Sequence, residues 1–123
     1  MTVLLDTHVL LWALADPERL SDSRRRILED RSNTVLVSAV NAAEIAIKAS
    51  IGKLTFDDDL LALVDETGFE WIGLTAEEAM MLRTLPPHHR DPFDRMLVCQ
   101  ALSREVPLVT DDPKIEAYGC RVV

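Results

Sequence analysis

The sequence is poor in several things, and each shortage excludes a class. It has two cysteines, Cys99 and Cys120, in 123 residues. They make neither a disulfide framework nor a metal-binding spacing, so both read as reduced structural thiols in a cytosolic setting. Glycine and proline are scarce, at four and six residues, and 48 % of the chain is apolar. That combination excludes collagen-like, low-complexity and disordered classes. The aromatics (Trp12, Phe56, Phe69, Trp71, Phe93, Tyr118) are few and dispersed, which reads as core and not as a base-stacking platform. No long hydrophobic run exists. The longest, Val9 to Ala15, is far too short to cross a bilayer. With no basic segment before it, and Asp6 and His8 beside it, it is also a poor secretory leader. The expectation is a soluble cytoplasmic protein folded as one domain, residues 1–123.

Bases are missing from one stretch. Between Lys53 and Arg83 lie Asp57, Asp58, Asp59, Asp65, Glu66, Glu70, Glu77 and Glu78, with no Lys or Arg. The remaining thirteen acids balance all thirteen bases, so the net charge of −8 belongs to this segment. A polyanion can still approach elsewhere, because local field decides encounter. The acidic segment is expected to face away from any such ligand or to meet a basic partner.

What is present alternates between strand and helix. Thr2 to Leu5 reads as a buried strand, followed by a helix over His8 to Ala15 that Thr7 can cap and Asp16-Pro17 breaks. Ser21 can cap a helix to about Asp30, and Arg24, Arg25 and Arg26 on it read as a solvated face. Thr34 to Val37 is a β-branched strand. Helices follow from about Ala39 to Ser50 and from Asp57 to Gly68. Phe69 to Ile72 is a third strand, and Thr75-Ala-Glu-Glu78 is a capping box. Leu85 to Arg90 is a loop, and Asp91-Pro92 opens a helix to about Arg104. Pro107 to Val109 is a strand, Pro113 to Tyr118 a last helical turn, and Arg121 to Val123 a final short strand. Strands separated by helices imply a three-layer α/β/α fold around a mainly parallel sheet.

Such sheets place ligands at the carboxyl ends of their strands. Asp6 falls there after the first strand, and Asp111 and Asp112 after the fourth. Glu44 sits inside a largely apolar helix, with Val40, Ala43, Ile47 and Ile51 spaced to share its face. Nothing local favours a carboxylate there. Asp94 precedes Leu97, Val98 and Ala101 on its own helix. Each acid also has a plain role open to it: Asp6, Asp91 and Asp112 can cap helices, and Asp94 suits a first turn. Several carboxylates in one cleft raise one another's pKa. A hard divalent cation, Mg²⁺ or Mn²⁺, relieves that conflict and suits phosphodiester hydrolysis.

Leu4-Leu5-Asp6-Thr7-His8, Ser38-Ala-Val-Asn-Ala-Ala-Glu44, Asp91-Pro-Phe-Asp94-Arg-Met-Leu-Val-Cys-Gln-Ala-Leu102 and Leu108-Val-Thr-Asp-Asp112 together resemble the PIN-domain nucleases. In particular they resemble the VapC-type toxins of toxin–antitoxin modules. The resemblance runs from Val3 to about Gly119. It implies a PIN-like fold and a metal-dependent endoribonuclease that leaves 5′-phosphate and 3′-hydroxyl ends. It further implies Mg²⁺ or Mn²⁺ held by Asp6, Glu44, Asp94 and Asp112, a homodimer, and an antitoxin partner. Thr110 takes the place of a supporting hydroxyl. Asp91 is an extra acid of the Asp-Pro-Phe-Asp branch, and Asp111 occupies a variable position.

For RNA, the acid-free stretch from Ala79 to Arg90 offers Arg83, His88, His89 and Arg90, and Arg95 follows Asp94. These are expected to meet the phosphate backbone. His88 and His89, as chain neighbours without a third ligand nearby, are a poor transition-metal pair. The competing reading is a non-catalytic α/β module, either a phosphoreceiver or a degenerate RNA- or partner-binding domain. A phosphoreceiver needs two carboxylates after strand one and an Asp ending a central strand; here those places hold a single Asp6 and Ser38.

Overall fold

The computed structural model describes residues 1–123. Four strands, β1 (Thr2–Leu5), β2 (Thr34–Ser38), β3 (Glu70–Ile72) and β4 (Leu108–Val109), form one sheet in the order β3-β2-β1-β4. All three pairings are parallel, with Val3 opposite Val35, Leu5 opposite Val109 and Val37 opposite Trp71. The expected final strand is reduced to one bridge between Val122 and Leu108.

Six α-helices connect the strands: α1 (Thr7–Ala15), α2 (Asp22–Glu29), α3 (Ala39–Ser50), α4 (Leu60–Thr67), α5 (Ala76–Met80) and α6 (Pro92–Arg104). No helix is long and apolar enough to cross a membrane. Strand side chains alternate in direction, which divides the core in two. Val3, Leu5, Val35, Val37 and Val109 face one layer with Val9, Leu10, Ile45 and Val64. Leu4, Leu36 and Leu108 face the other, against Leu97, Val98 and Ala101 of α6. Leu11 and all six aromatics pack, partly buried, on one or other cluster. The apolar run at Val9 is thus core.

The helix ends follow their caps. Ser21, Thr75 and Asp91 accept backbone N–H bonds at the starts of α2, α5 and α6, and Pro92 stands at N1. The capping box from Thr75 to Glu78 is complete, with both bonds made. Gly68 ends α4 at φ 79°, a left-handed conformation that glycine adopts without strain. Three expectations shift. Asp6, not Thr7, caps α1. α4 starts at Leu60 behind the Asp59 cap, later than the expected start at Asp57. The last helical turn shrinks to Glu116–Tyr118.

Glu44 corrects a larger expectation. Glu44 is buried, but Ala43, Ile47 and Ile51 are exposed. The buried face of α3 is Val40, Asn41, Glu44 and Ile45. Two faces of this alanine-rich helix are apolar enough to be the inner one. Asn41 decides between them: its amide donates to Leu5 O at 3.2 Å and to Thr7 Oγ1 at 3.1 Å. That pins the first turn of α3 to the end of β1 and turns Glu44 inward.

Candidate active site

The carboxyl edge of the sheet carries the acids. Asp6 follows β1 directly, and its backbone N–H donates to Val109 O at 3.1 Å, which fixes it beside the end of β4. Its Oδ1 accepts from Val9 N at 2.8 Å, while Oδ2 accepts from the Thr110 hydroxyl. Thr110 Oγ1 in turn accepts the N–H of Asp112 at 3.1 Å. Burial raises the Asp6 pKa above the ordinary carboxylate value, against the lowering effect of the Thr110 and Val9 bonds.

Asp94 lies in the first turn of α6, held there by the cap. Asp91 Oδ1 accepts from Phe93 N at 2.8 Å and Asp94 N at 3.2 Å. Asp94 is pushed up to about 7, first by burial, then by the charges of Asp91 and Glu44, with His89 opposing. Asp112, at the end of β4, is half-buried. Burial raises its pKa, but bonds from Lys114 N and His89 outweigh that and leave it lowered.

His89 joins the last two acids. Its Nε2 lies 2.6 Å from Asp112 Oδ2 and 3.2 Å from Asp94 Oδ2. One potential ligand atom from each of His89, Asp94 and Asp112 lies within 4.8 Å of the others. Asp6 and Glu44 are not members of this tight trio. Asp6 reaches it through Thr110. Glu44 reaches it through space, as its charge acts on Asp94.

Glu44 has only 2 % of its surface exposed. Its Oε2 accepts from Lys48 Nζ at 2.5 Å, and its Oε1 is buried with no partner. An orphaned carboxylate oxygen is costly, which marks a place where a cation is wanted. Lys48 is raised above its usual value, chiefly by the Glu44 bond, with Asp91 and Asp94 adding to it. Lys48 was not among the expected site residues. The Glu44-to-Lys48 spacing of one helical turn was the available signal.

Several residues have tasks other than those expected. Arg95 donates to the carbonyls of Leu85, Pro86 and His89, so it clamps the 85–90 loop and is not free for RNA. His89 faces the acids, and only Arg83, His88 and Arg90 of the expected RNA-binding set are exposed. Asp111 pairs with Arg24, whose guanidinium also donates to Thr110 O at 2.9 Å and Val123 O at 3.3 Å. Arg24 is therefore a tie between α2 and the end of β4, not part of a solvated face. Glu78 leaves the acidic segment for the interior, where Arg104 Nε binds it at 2.8 Å.

A cavity of about 450 Å³ lies elsewhere. It is lined by Leu20, Arg25, Leu28, Val35 and Phe69, near the amino ends of β2 and β3, and holds none of the site acids.

A parallel sheet with acids gathered at its carboxyl edge defines an α/β protein whose ligand site lies at that edge. The PIN domain family model matches residues 3–119, so the chain belongs to the PIN domain family. It is 28 % identical over 120 residues to Ribonuclease VapC22 of Mycobacterium tuberculosis (strain ATCC 25618 / H37Rv), covering 95 % of this chain and 92 % of that protein. Its fold is similar to the structure of VapBC2 from Rickettsia felis bound to a DNA fragment from their promoter, at TM-score 0.74 and 17 % identity. That likeness covers 100 % of this chain and 98 % of the other. DNA-bound VapBC from Salmonella typhimurium gives TM-score 0.73 at 20 % identity, covering 100 % and 97 %. The family and fold expected from the sequence motifs are both borne out.

Proposed function

We propose that the chain is a metal-dependent endoribonuclease, the toxin of a type II toxin–antitoxin module, with Asp6, Glu44, Asp94 and Asp112 as its catalytic acids. The observation that carries this reading is the electrostatic state of the cluster. Asp94 is pushed up to about 7 by burial and by neighbouring acids, while Glu44 keeps a buried oxygen without a partner. Hard carboxylate oxygens at such a site fit Mg²⁺ or Mn²⁺. The similarity to a protein named Ribonuclease VapC22 supports RNA as the substrate.

When bound, such an ion supplies an activated water and offsets charge developing at phosphorus during in-line attack. The chain's own residues do the rest. Thr110 orients Asp6 through its hydroxyl. Asp91 caps α6 and so fixes the turn that presents Asp94. Asn41 fixes the turn of α3 that carries Glu44. The exposed His88 and Arg90 lie on the loop that leads into α6, and Arg83 ends the short 3-10 turn before it; there they meet the RNA backbone and set its position.

The VapBC assemblies of the same fold support a cognate antitoxin as partner. A homodimer is part of the same reading. Ile47 and Ile51, 49 % and 60 % exposed on the outer face of α3, offer apolar surface for a protein partner.

The test is cleavage of a defined RNA by the purified chain with Mn²⁺ or Mg²⁺, with excess EDTA as the control. Cleavage that stops in EDTA and leaves 5′-phosphate ends is the expected result. Cleavage that persists in EDTA, or leaves cyclic phosphate ends, overturns the metal-dependent mechanism.

A further inference from the structure

His89 is held more firmly than an exposed loop histidine needs to be. Three groups fix it. Its backbone N–H donates to the Tyr118 hydroxyl at 2.8 Å. Its carbonyl accepts from Arg95 Nη1 at 3.3 Å. Its ring Nδ1 accepts the backbone N–H of Asp91 at 3.0 Å. The same Arg95 reaches Leu85 O and Pro86 O, so the whole loop is gathered behind this one residue.

The Nδ1 contact determines the tautomer. A nitrogen that accepts an N–H bond carries a lone pair there, not a proton. In the neutral ring the proton then sits on Nε2, the atom that faces Asp94 Oδ2 and Asp112 Oδ2. Ligation of a cation through Nε2 needs that atom bare and the proton moved to Nδ1. Nδ1–H would then oppose the N–H of Asp91. Asp91 cannot swing that N–H away, because its side chain caps α6.

We propose that His89 is a positioning residue: its Nε2–H donates to the Asp112 carboxylate, beside Asp94 Oδ2 at 3.2 Å, sets the orientation of Asp112 for a divalent cation, and is not itself a ligand. This rests on the metal-dependent reading of the acid cluster above. Carboxylate ligands are commonly oriented by hydrogen bonds from behind, and losing such a partner costs about 10–100-fold in metal affinity. Only the Asp112 contact, at 2.6 Å, is a hydrogen bond; Asp94 Oδ2 lies 3.2 Å from Nε2 without one. Asp94 Oδ2, not tied up by that bond, would be free to hold the cation.

The experiment is a Mn²⁺ titration of the full chain, followed by electron paramagnetic resonance, for the parent, His89→Gln, His89→Leu and Tyr118→Phe. Gln places an amide N–H near the position of Nε2. His89→Leu is expected to bind Mn²⁺ at least about tenfold more weakly, and His89→Gln within about threefold of the parent. The bound Mn²⁺ of the parent is expected to show no directly coordinated ¹⁴N coupling. Equal affinity in parent and His89→Leu overturns the proposal, and so does a histidine nitrogen coupling that His89→Gln removes. If His89→Leu does not fold, Tyr118→Phe decides. It removes one of the three bonds that hold His89 while leaving the ring and the Arg95 bond in place, so a several-fold loss supports positioning and unchanged affinity contradicts it. A parent that binds no Mn²⁺ fails the metal-dependent reading itself, a result distinct from any difference among the variants.

Discussion

The Thr110 hydroxyl donates to Asp6 Oδ2 across 104 positions of sequence and at the same time accepts the N–H of Asp112. One side chain thereby joins the ends of β1 and β4 and orients two of the four acids. Thr110→Val keeps the shape and removes the donor, leaving a buried carboxylate oxygen short of a partner. The expected cost is about 1–3 kcal/mol in urea unfolding, with RNA cleavage lowered at least about tenfold. Thr110→Ser is expected to keep most of both. A Thr110→Val protein that cuts as fast as the parent removes Thr110 from the mechanism.

Asp94 gives the metal-free chain a distinct pH dependence. Its folded pKa is raised from 3.8 to about 7. The folded state therefore holds a proton that the unfolded state has lost. The resulting contribution is fully present below about 4 and is lost as pH rises through about 7. Asp6 acts in the same direction, whereas Asp112 and Glu78 are lowered and act oppositely. The difference between parent and Asp94→Asn isolates the one group. In EDTA the variant is expected to match the parent near pH 4.5 and to exceed it in urea midpoint at pH 8. A difference that is flat across this range contradicts the raised pKa.

Arg24 anchors the strand end that carries Thr110 and Asp112. Arg24→Met removes two carbonyl bonds and the Asp111 pair from a guanidinium that is only 21 % exposed. The expected cost is about 2 kcal/mol, with cleavage reduced as Thr110 loosens. Asp111→Asn is expected to change little, because Asp111 is half exposed and such pairs contribute at most about 1 kcal/mol. Urea unfolding of both variants checks the contrast, and equal effects would contradict it.

The acidic segment separates into structural and surface groups. Glu78 is 3 % exposed and bound by both Arg104 and the α5 cap. Glu78→Gln is expected to destabilise by about 1–3 kcal/mol, since it breaks a buried pair that is partly open on the Arg104 side. Reversing Asp57, Asp58 and Asp65 to Lys is expected to leave intrinsic cleavage within about tenfold of the parent, because these groups lie outside the site. A larger loss would place the segment against the RNA.

Much of this was legible in the residues because it is local. Ser21, Thr75 and Asp91 signal their helices by side-chain chemistry within three positions. The strands β1 and β2 show as short apolar, β-branched runs. The four acids stand out because three fall at strand ends or helix starts and Glu44 has no local reason to be inside. The rest depends on pairs far apart in sequence. Arg24 meets Asp111 from 87 positions away, and His89 meets Asp112 from 23. An arginine on a charged helix and a histidine in a polar loop look the same whether solvated or tied down. The orientation of α3 is not legible in the sequence for a similar reason. Its apolar periodicity permits two inner faces, and a distant contact from Asn41 to the end of β1 selects one.

The most direct test of the central claim compares RNA cleavage rates in Mn²⁺ for the parent and for Asp6→Asn, Glu44→Gln, Asp94→Asn and Asp112→Asn, purified identically. Each variant's folding is checked by thermal melting. All four are expected to remain folded and to lose at least about a hundredfold in rate, since each removes a charge that holds the cation. A folded variant at any of the four positions that cuts at the parent's rate contradicts the assignment of that acid. Equal cutting by all four places the activity somewhere other than the carboxyl edge of the sheet.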